Sequence, residues 1–198
     1  MEKPFAPSCE RNQGVILDVL KDIIKPTDIH LLEIGSGTGQ HAVFMAPHFP
    51  KTKWHTTDLV ENHLGINMWL DEATIDNILQ PIIYQSGKSD FPNIDVDIIF
   101  TTNTLHIMSW DNVRKLIFHL GDNLKKGAQI IIYGPFNYKG EFTSKSNEKF
   151  NGWLKNKNPY SGIREFDSVV SLMTKVDIHL INDIHMPSNN RILHFIKE

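Results

Sequence analysis

The chain has 198 residues, 40% of them hydrophobic and 22% charged, enough apolar content for one sizeable core and too much for a disordered or fibrous protein. Its formal net charge of -3 and pI near 6.4 supply no general positive field to hold a phosphate backbone, so no nucleic-acid partner is expected. A single cysteine, Cys9, excludes an intrachain disulfide and a thiolate-rich metal site. No apolar run is long enough to span a bilayer, so a cytoplasmic protein without membrane association is expected.

From Gly14 to Ile24, Ile16, Leu17, Val19, Leu20, Ile23 and Ile24 recur at helical spacing until Pro26 stops the pattern. Ile29 to Ile34 then reads as a short buried strand carrying Glu33, followed by Gly35-Ser36-Gly37-Thr38-Gly39 and a helix from Gln40 to Ala46. Further strands are predicted at Lys53 to Thr57, Pro81 to Tyr84 and Val96 to Thr102, with a helix around Asn62 to Asp71. Trp110 to Leu124 is a helix with Ser109 as its N-cap, and Ala128 to Tyr133 is a continuous apolar strand.

Gly134 to Glu165, rich in Gly, Lys, Asn and Ser, is too long for a simple connection and is read as a lid-like insertion. A last helix is predicted from Asp167, as N-cap, to Lys175. Strands Val176 to His185 and Arg191 to Lys197 are joined so tightly by Met186 to Asn190 that they must be antiparallel. The sum is one α/β domain, residues 1–198, Rossmann-like, with a seven-stranded mainly parallel sheet, an antiparallel last strand and helices on both faces.

Glycines between a strand and a helix let backbone approach a ligand at the helix N-terminus, so a nucleotide-like ligand is expected. A dinucleotide would need its first glycine at the strand end, at Gly35, and counting from there the third glycine position is Gln40; a P-loop lacks its Gly-Lys-Ser/Thr. Asp58 follows about 20 residues on, where a carboxylate accepts hydrogen bonds from ribose hydroxyls.

With Glu33, the alternate glycines, Asp58 and the antiparallel ending in view, the chain resembles the class I S-adenosylmethionine-dependent methyltransferases. More narrowly, Ser8-Cys9-Glu10-Arg11-Asn12-Gln13, Glu33 to His41, Thr104-Leu105-His106-Ile107 with Trp110, Tyr133-Gly134-Pro135-Phe136 and Met186-Pro187-Ser188-Asn189-Asn190 are similar to the methyltransferase-like 26 family. The resemblance implies S-adenosylmethionine as cofactor and methyl transfer to an acceptor, taken to be a small molecule, that it does not identify. A noncatalytic cofactor-binding scaffold and a nicotinamide-dependent oxidoreductase are the alternatives.

On this reading Glu33, Gly35, Gly37, Gly39 and Asp58 hold the cofactor. Leu59 lies on an adenine face or in ordinary core. Gln85 stands where many class I enzymes place an acidic residue, and its carbonyl can accept the adenine amino hydrogen bond. Arg11, taken to precede the first helix, pairs either with the methionyl carboxylate or with Glu10 or Asp18 at the surface. Asn103 and His106 follow the fourth strand at the ligand edge, where His106, with an unperturbed pKa of about 6.5, is a general base or a structural histidine. Phe150 and Trp153 from the insertion and Asn189 and Asn190 from the terminal turn are assigned to the substrate side. No metal is expected, because the histidines show no ligand spacing.

Overall fold

The computed structural model describes residues 2–27 and 29–198. In chain order the main elements are α1 (Pro7–Ile23), β1 (Ile29–Ile34), α2 (Gln40–Met45), β2 (Thr52–Asp58), α3 (His63–Ala73), β3 (Ile78–Ile83) and β4 (Ile98–Thr102). They continue with α4 (Trp110–Asn123), β5 (Gln129–Gly134), β6 (Phe136–Asn137), α5 (Lys145–Lys157), β7 (Arg164–Glu165), α6 (Phe166–Thr174), β8 (Ile178–Met186) and β9 (Asn190–Lys197). Seven strands form one sheet in the order β3-β2-β1-β4-β5-β9-β8, with helices on both sides. The pairs β1–β2, β1–β4 and β2–β3 are parallel, whereas β9 runs antiparallel to both β5 and β8. No helix among the described residues is long and apolar enough to cross a membrane.

Contacts divide the chain into two compact units, one made of residues up to Gln85 with Pro92–Phe100, the other of Ser86–Phe91 and Thr101–Glu198. In the first unit β1 is flanked by β2 and β4, and Leu31, Leu32, Trp54, Ile66 and Phe100 are fully buried. Trp54 meets Phe100 edge-on with ring centroids 5.6 Å apart; side chains of this size each contribute about 1.5–3 kcal/mol by leaving water. In the second unit Ile130, Ile131, Leu193 and Phe195 from the β5–β9 pair are buried, as are Ile117 of α4 and Val169 of α6.

Three boundaries differ from the sequence reading for identifiable reasons. Helix α1 starts at Pro7 instead of Gly14: a proline at the first helical position has the right φ and needs no amide partner. Its first half escaped the periodicity because the residue it buries is polar, Asn12. Strand β3 starts three residues before Pro81, at Ile78. The proline is tolerated because β3 is the sheet edge and its register with β2 shifts at that point. The N-cap of α6 is Glu165, and Asp167 instead lies in the first turn, where its charge faces the positive helix end.

The 134–165 insertion is built around a 13-residue helix, α5, capped by Ser144 accepting from the Asn147 amide at 3.1 Å. Its flanks pair as a two-stranded parallel ribbon, Phe136 with Arg164 and Asn137 with Glu165.

Candidate functional site

In the first unit the carboxyl ends of β1 and β2 carry the glycine loop. Gly35, Gly37 and Gly39 all have positive φ, 73°, 59° and 87°, so the backbone coils through a region that other residues enter at a cost. The Gly35 and Ser36 amides both donate to the Thr57 carbonyl, at 3.0 and 2.9 Å, and the Gly39 amide closes back on the Ser36 carbonyl. The glycines differ in what surrounds them. A Cβ on Gly39 would lie 3.3 Å from the Ile66 backbone, whereas one on Gly37 would meet nothing within 4 Å. Gly39→Ala is therefore expected to lower stability by roughly 1–3 kcal/mol through crowding and strain. Gly37→Ala should cost only about 1–2 kcal/mol while placing a methyl group in the open mouth of the loop. Thermal melts of both variants, with cofactor affinity alongside, check this; a Gly37→Ala variant melting below Gly39→Ala would refute it.

Asp58, at the end of β2, is 8% exposed and clasps this loop. Its Oδ2 accepts from the Gly37 amide at 2.6 Å; its Oδ1 accepts from the Leu59 amide and from Asn62 Nδ2, each at 2.7 Å. A carboxylate offers about four lone-pair positions, so these three bonds leave one, on Oδ2, for a further donor. Leu59 is half-buried and starts a turn of 3-10 helix over Val60–Asn62. The Tyr84 amide donates to the Asp58 carbonyl at 3.0 Å, so the half-buried Gln85 directly follows a residue tied to the end of β2.

Glu33 lies within β1 and is only 1% exposed. Oε2 accepts from the Trp54 indole at 3.0 Å, whereas Oε1 is buried with no hydrogen-bond partner among the described residues. Burial pushes its carboxyl up to about 7; Trp54 and Ser36 oppose this, and the Asp58 charge adds to it. A buried carboxylate with a vacant oxygen is one of the few groups that gain by meeting a cation or another donor.

Arg11 lies inside α1 and not before it, as the sequence reading had it, and its side chain is exposed. Among the described residues it forms no ion pair with Glu10 or Asp18. The neighbouring position reaches inward: Asn12 Oδ1 accepts from His41 Nε2 at 2.8 Å, and burial lowers His41 to about 4. Cys9 is pushed up to about 11, first by burial and then by the Glu33 charge, so its thiol is protonated at neutral pH.

In the second unit Asn103 follows β4 with a positive φ of 56°, and its amide donates to the Tyr133 carbonyl at 2.9 Å. A Cβ on Gly134 would lie 3.7 Å from His106 Nδ1 and 3.9 Å from Asn103 Oδ1, so these two polar atoms converge where β5 ends in glycine. His106 is 4% exposed. Burial, with the Arg164 guanidinium as a second cause, lowers it to about 4, well below the 6.5 of an unperturbed imidazole.

Helix α5 covers this histidine: Phe150 meets it edge-on at 5.3 Å. Trp153 stacks on Phe150 at 5.8 Å, has the Lys157 ammonium 4.2 Å from its ring centre, and remains 49% exposed. The far end of the insertion grips the His106 turn. The Gly162 amide donates to the His106 carbonyl, Ser161 Oγ to that of Ile107, and Arg164 to those of Leu105 and Met108. The near end is tied to the β8–β9 turn, where Asn147 Nδ2 donates to the Asn189 carbonyl at 3.2 Å. Asn190 Nδ2 closes its own turn on the Pro187 carbonyl.

The structure thus groups Glu33, Gly35, Gly37, Gly39, Asp58 and Leu59 in one unit, and Asn103, His106, Phe150 and Trp153 in the other. Sequence reasoning missed Asn62, Asn12, Gln40 and Arg164. Asn62 had a usable signal, an amide four residues after a strand-end aspartate; Asn12, Gln40 and Arg164 each have a partner distant in the chain, His41, Ala6 and Leu105. Among the described residues no cluster of three or more His, Cys, Asp or Glu could hold a metal ion.

Residues 3–197 match a family described as protein of unknown function (DUF938). The fold is similar to that of an O-methyltransferase family 2 protein from Planctomyces limnophilus DSM 3776 solved with apigenin. The TM-score is 0.81 at 12% identity, over 96% of this chain and 60% of that one. It is also similar to an O-methyltransferase family protein from Burkholderia thailandensis, with TM-score 0.80 at 11% identity over 96% and 57%. For human N-acetylserotonin methyltransferase solved with SAM the values are 0.78 and 13% over 96% and 52%. The chain therefore spans 52–60% of the length of these proteins, and at identities this low the TM-scores show a shared Rossmann-like fold and no more.

Proposed function

The chain belongs to the DUF938 family, and we propose that it is an S-adenosylmethionine-dependent methyltransferase acting on a small-molecule acceptor. The observation that carries this is the pairing of the buried Glu33, one oxygen unpartnered, with a left-handed glycine loop clasped by Asp58. The vacant Glu33 oxygen suits the amino-acid ammonium of the cofactor, and the remaining Oδ2 position of Asp58 suits a ribose hydroxyl. Gly37, open to a ligand on the side where a Cβ would stand, suits close approach of its uncharged parts. Leu59 and Gln85 are assigned to the adenine. Arg11, exposed on α1, is assigned to the methionyl carboxylate. The resemblance of the Glu33–His41 and Thr104–Ile107 motifs to the methyltransferase-like 26 family supports the same assignment.

When bound, S-adenosylmethionine supplies a methyl group on a sulfonium that is already a good leaving group. What the chain then adds is alignment, together with a place for a proton if the acceptor must lose one. We assign that place to His106, held neutral at pH 7 by burial and Arg164, with Asn103 beside it at Gly134. Phe150 holds the imidazole plane; Trp153, Asn189 and Asn190 are assigned to acceptor binding.

Calorimetric titration with S-adenosylmethionine and S-adenosylhomocysteine, with NAD(H) and NADP(H) as controls, tests the cofactor. Saturable binding of the first pair alone is expected, and nicotinamide binding or none would overturn the assignment. Binding without methylation of any compound in a broad acceptor panel would leave a noncatalytic cofactor-binding protein. His106→Ala should retain S-adenosylhomocysteine affinity within a few-fold and lower kcat by about 10²–10⁴. With a group titrating near 4, wild-type kcat should show no inflection near pH 6.5. An unchanged rate in the variant would assign His106 to packing alone.

A further inference from the structure

Residues Lys3 to Ala6 lie as a strap along the first unit and run into α1 at Pro7. The Lys3 ammonium sits 3.8 Å from the centre of the Trp69 ring and pairs with Glu72. Trp69 Nε1 donates to the Pro4 carbonyl at 2.7 Å, and Phe5 stacks on the same ring with centroids 6.5 Å apart. Where the strap crosses α3 the helix carries Gly65, and a Cβ there would stand 2.6 Å from Pro4 Cγ. Gly65 lies in the first turn of α3, where a glycine costs up to about 1 kcal/mol relative to alanine, and the space it frees is filled by the strap.

The strap ends on the glycine loop. The Ala6 amide donates to Gln40 Oε1 at 2.6 Å, and the same oxygen accepts from Thr38 Oγ1 at 2.9 Å. Gln40 is buried, and the Cys9 thiol lies against the Thr38 hydroxyl. One side-chain oxygen is thus shared by a donor from the strap and a donor from the loop. Removing it takes the shared acceptor from both donors at a half-buried position.

We propose that Gln40 is a positioning residue: through its shared carbonyl oxygen it couples docking of the Lys3–Ala6 strap to the conformation of the Gly35–Gly39 loop, and so to the affinity of the ligand the loop holds. The ligand part rests on the cofactor assignment above; the coupling of strap to loop does not. Linkage makes the effect reciprocal, so a ligand that favours the ordered loop must stabilise the docked strap by the same factor.

The test uses the full chain with Gln40→Ala, Gln40→Glu, which keeps an acceptor oxygen, and Trp69→Phe, which loosens the strap without touching the loop. Amide hydrogen exchange is followed at residues 5–9 and 37–40 in the cofactor-free protein, and S-adenosylhomocysteine affinity is measured by calorimetry. Gln40→Ala should speed exchange in both segments together and weaken binding about tenfold. Gln40→Glu should stay within a few-fold of wild type, and Trp69→Phe should speed exchange in the loop as well as in the strap. Saturating S-adenosylhomocysteine should slow exchange in the strap of the wild type.

Loop exchange unchanged in both Gln40→Ala and Trp69→Phe would overturn the coupling, whatever happens to the melting temperature. If the wild type bound no S-adenosylhomocysteine, the cofactor assignment would fall. The exchange data on the cofactor-free protein would still decide the role of Gln40.

Discussion

Replacing Asp58 by alanine is expected to weaken S-adenosylhomocysteine binding by about 100-fold or more, with a measurable loss of stability. Two effects add. The variant loses the acceptor offered to a ribose hydroxyl, and a hydrogen bond to a charged group is worth about 1.5–3 kcal/mol. It also releases the Gly37 amide and the Leu59–Asn62 turn, which the two carboxylate oxygens now hold, so the ligand must bear the cost of ordering the loop. Together these amount to roughly 3–4 kcal/mol, or two to three decades in Kd.

A residue at a ligand edge can often be removed with little harm to the fold. The three internal bonds and 8% exposure of Asp58 instead predict a stability cost of about 1–3 kcal/mol. Asp58→Asn separates the parts, because an amide oxygen can serve only one side of the clasp. Calorimetry with a parallel thermal melt decides the matter: an unchanged Kd in Asp58→Ala would remove the residue from the site, and an unchanged melting temperature would show that the clasp holds nothing.

The second large effect expected is loss of stability in mild acid. His41 and His106 are lowered from 6.5 to about 4, in both cases chiefly by burial. Between those values the unfolded chain binds more protons than the folded one, so stability present above pH 6.5 is lost as the pH falls toward 4. Each histidine contributes up to roughly 3 kcal/mol over that interval, and the two together rival a typical total of about 5–15 kcal/mol. His55, lowered to about 4 by burial and then by its stacked neighbour His30 and by Lys53, acts in the same direction.

Glu33 acts in the opposite one. Its folded value is raised from 4.5 to about 7, so the folded state binds the extra proton in that window. Its contribution is greatest below pH 4.5 and is lost as the pH rises through 7. Glu33→Gln should accordingly be more stable than wild type at pH 8 by about 1–3 kcal/mol, lose that advantage by pH 4.5, and show the steeper acid decline. Urea unfolding at pH 8, 6.5, 5.5 and 4.5 measures both slopes. A flat wild-type profile would contradict the neutral buried histidines, and parallel profiles would contradict the raised Glu33.

Several features of the site were legible in the linear order. Glu33, the three glycines and Asp58 are set by strand ends and by a backbone that needs positive φ, and both leave local marks: an apolar run, glycines at alternate positions, an acidic residue where the next run stops. The same holds for the Ser109 cap, whose oxygen accepts from the Asn112 amide three residues on. The antiparallel β8–β9 pair was likewise fixed by the short Pro187–Asn189 connection that joins its strands, too short for a parallel return.

Tertiary structure decided what depends on partners distant in the chain. The first half of α1 hides from a hydrophobic pattern because its buried contact is Asn12 with His41, 29 positions away. Pro81 could enter a strand only because β3 is the sheet edge. The value near 4 for His106 required Phe150 above it and Arg164, 58 positions on, beside it. Sequence by itself determined the order of elements outside the 134–165 insertion, the bend of the glycine loop and the carboxylates around it, because sterics and local hydrogen bonding act within a few residues. Which of those groups are buried, which oxygens stay vacant and which protons are held was settled by packing, because desolvation and charge act between residues that only the folded chain brings together.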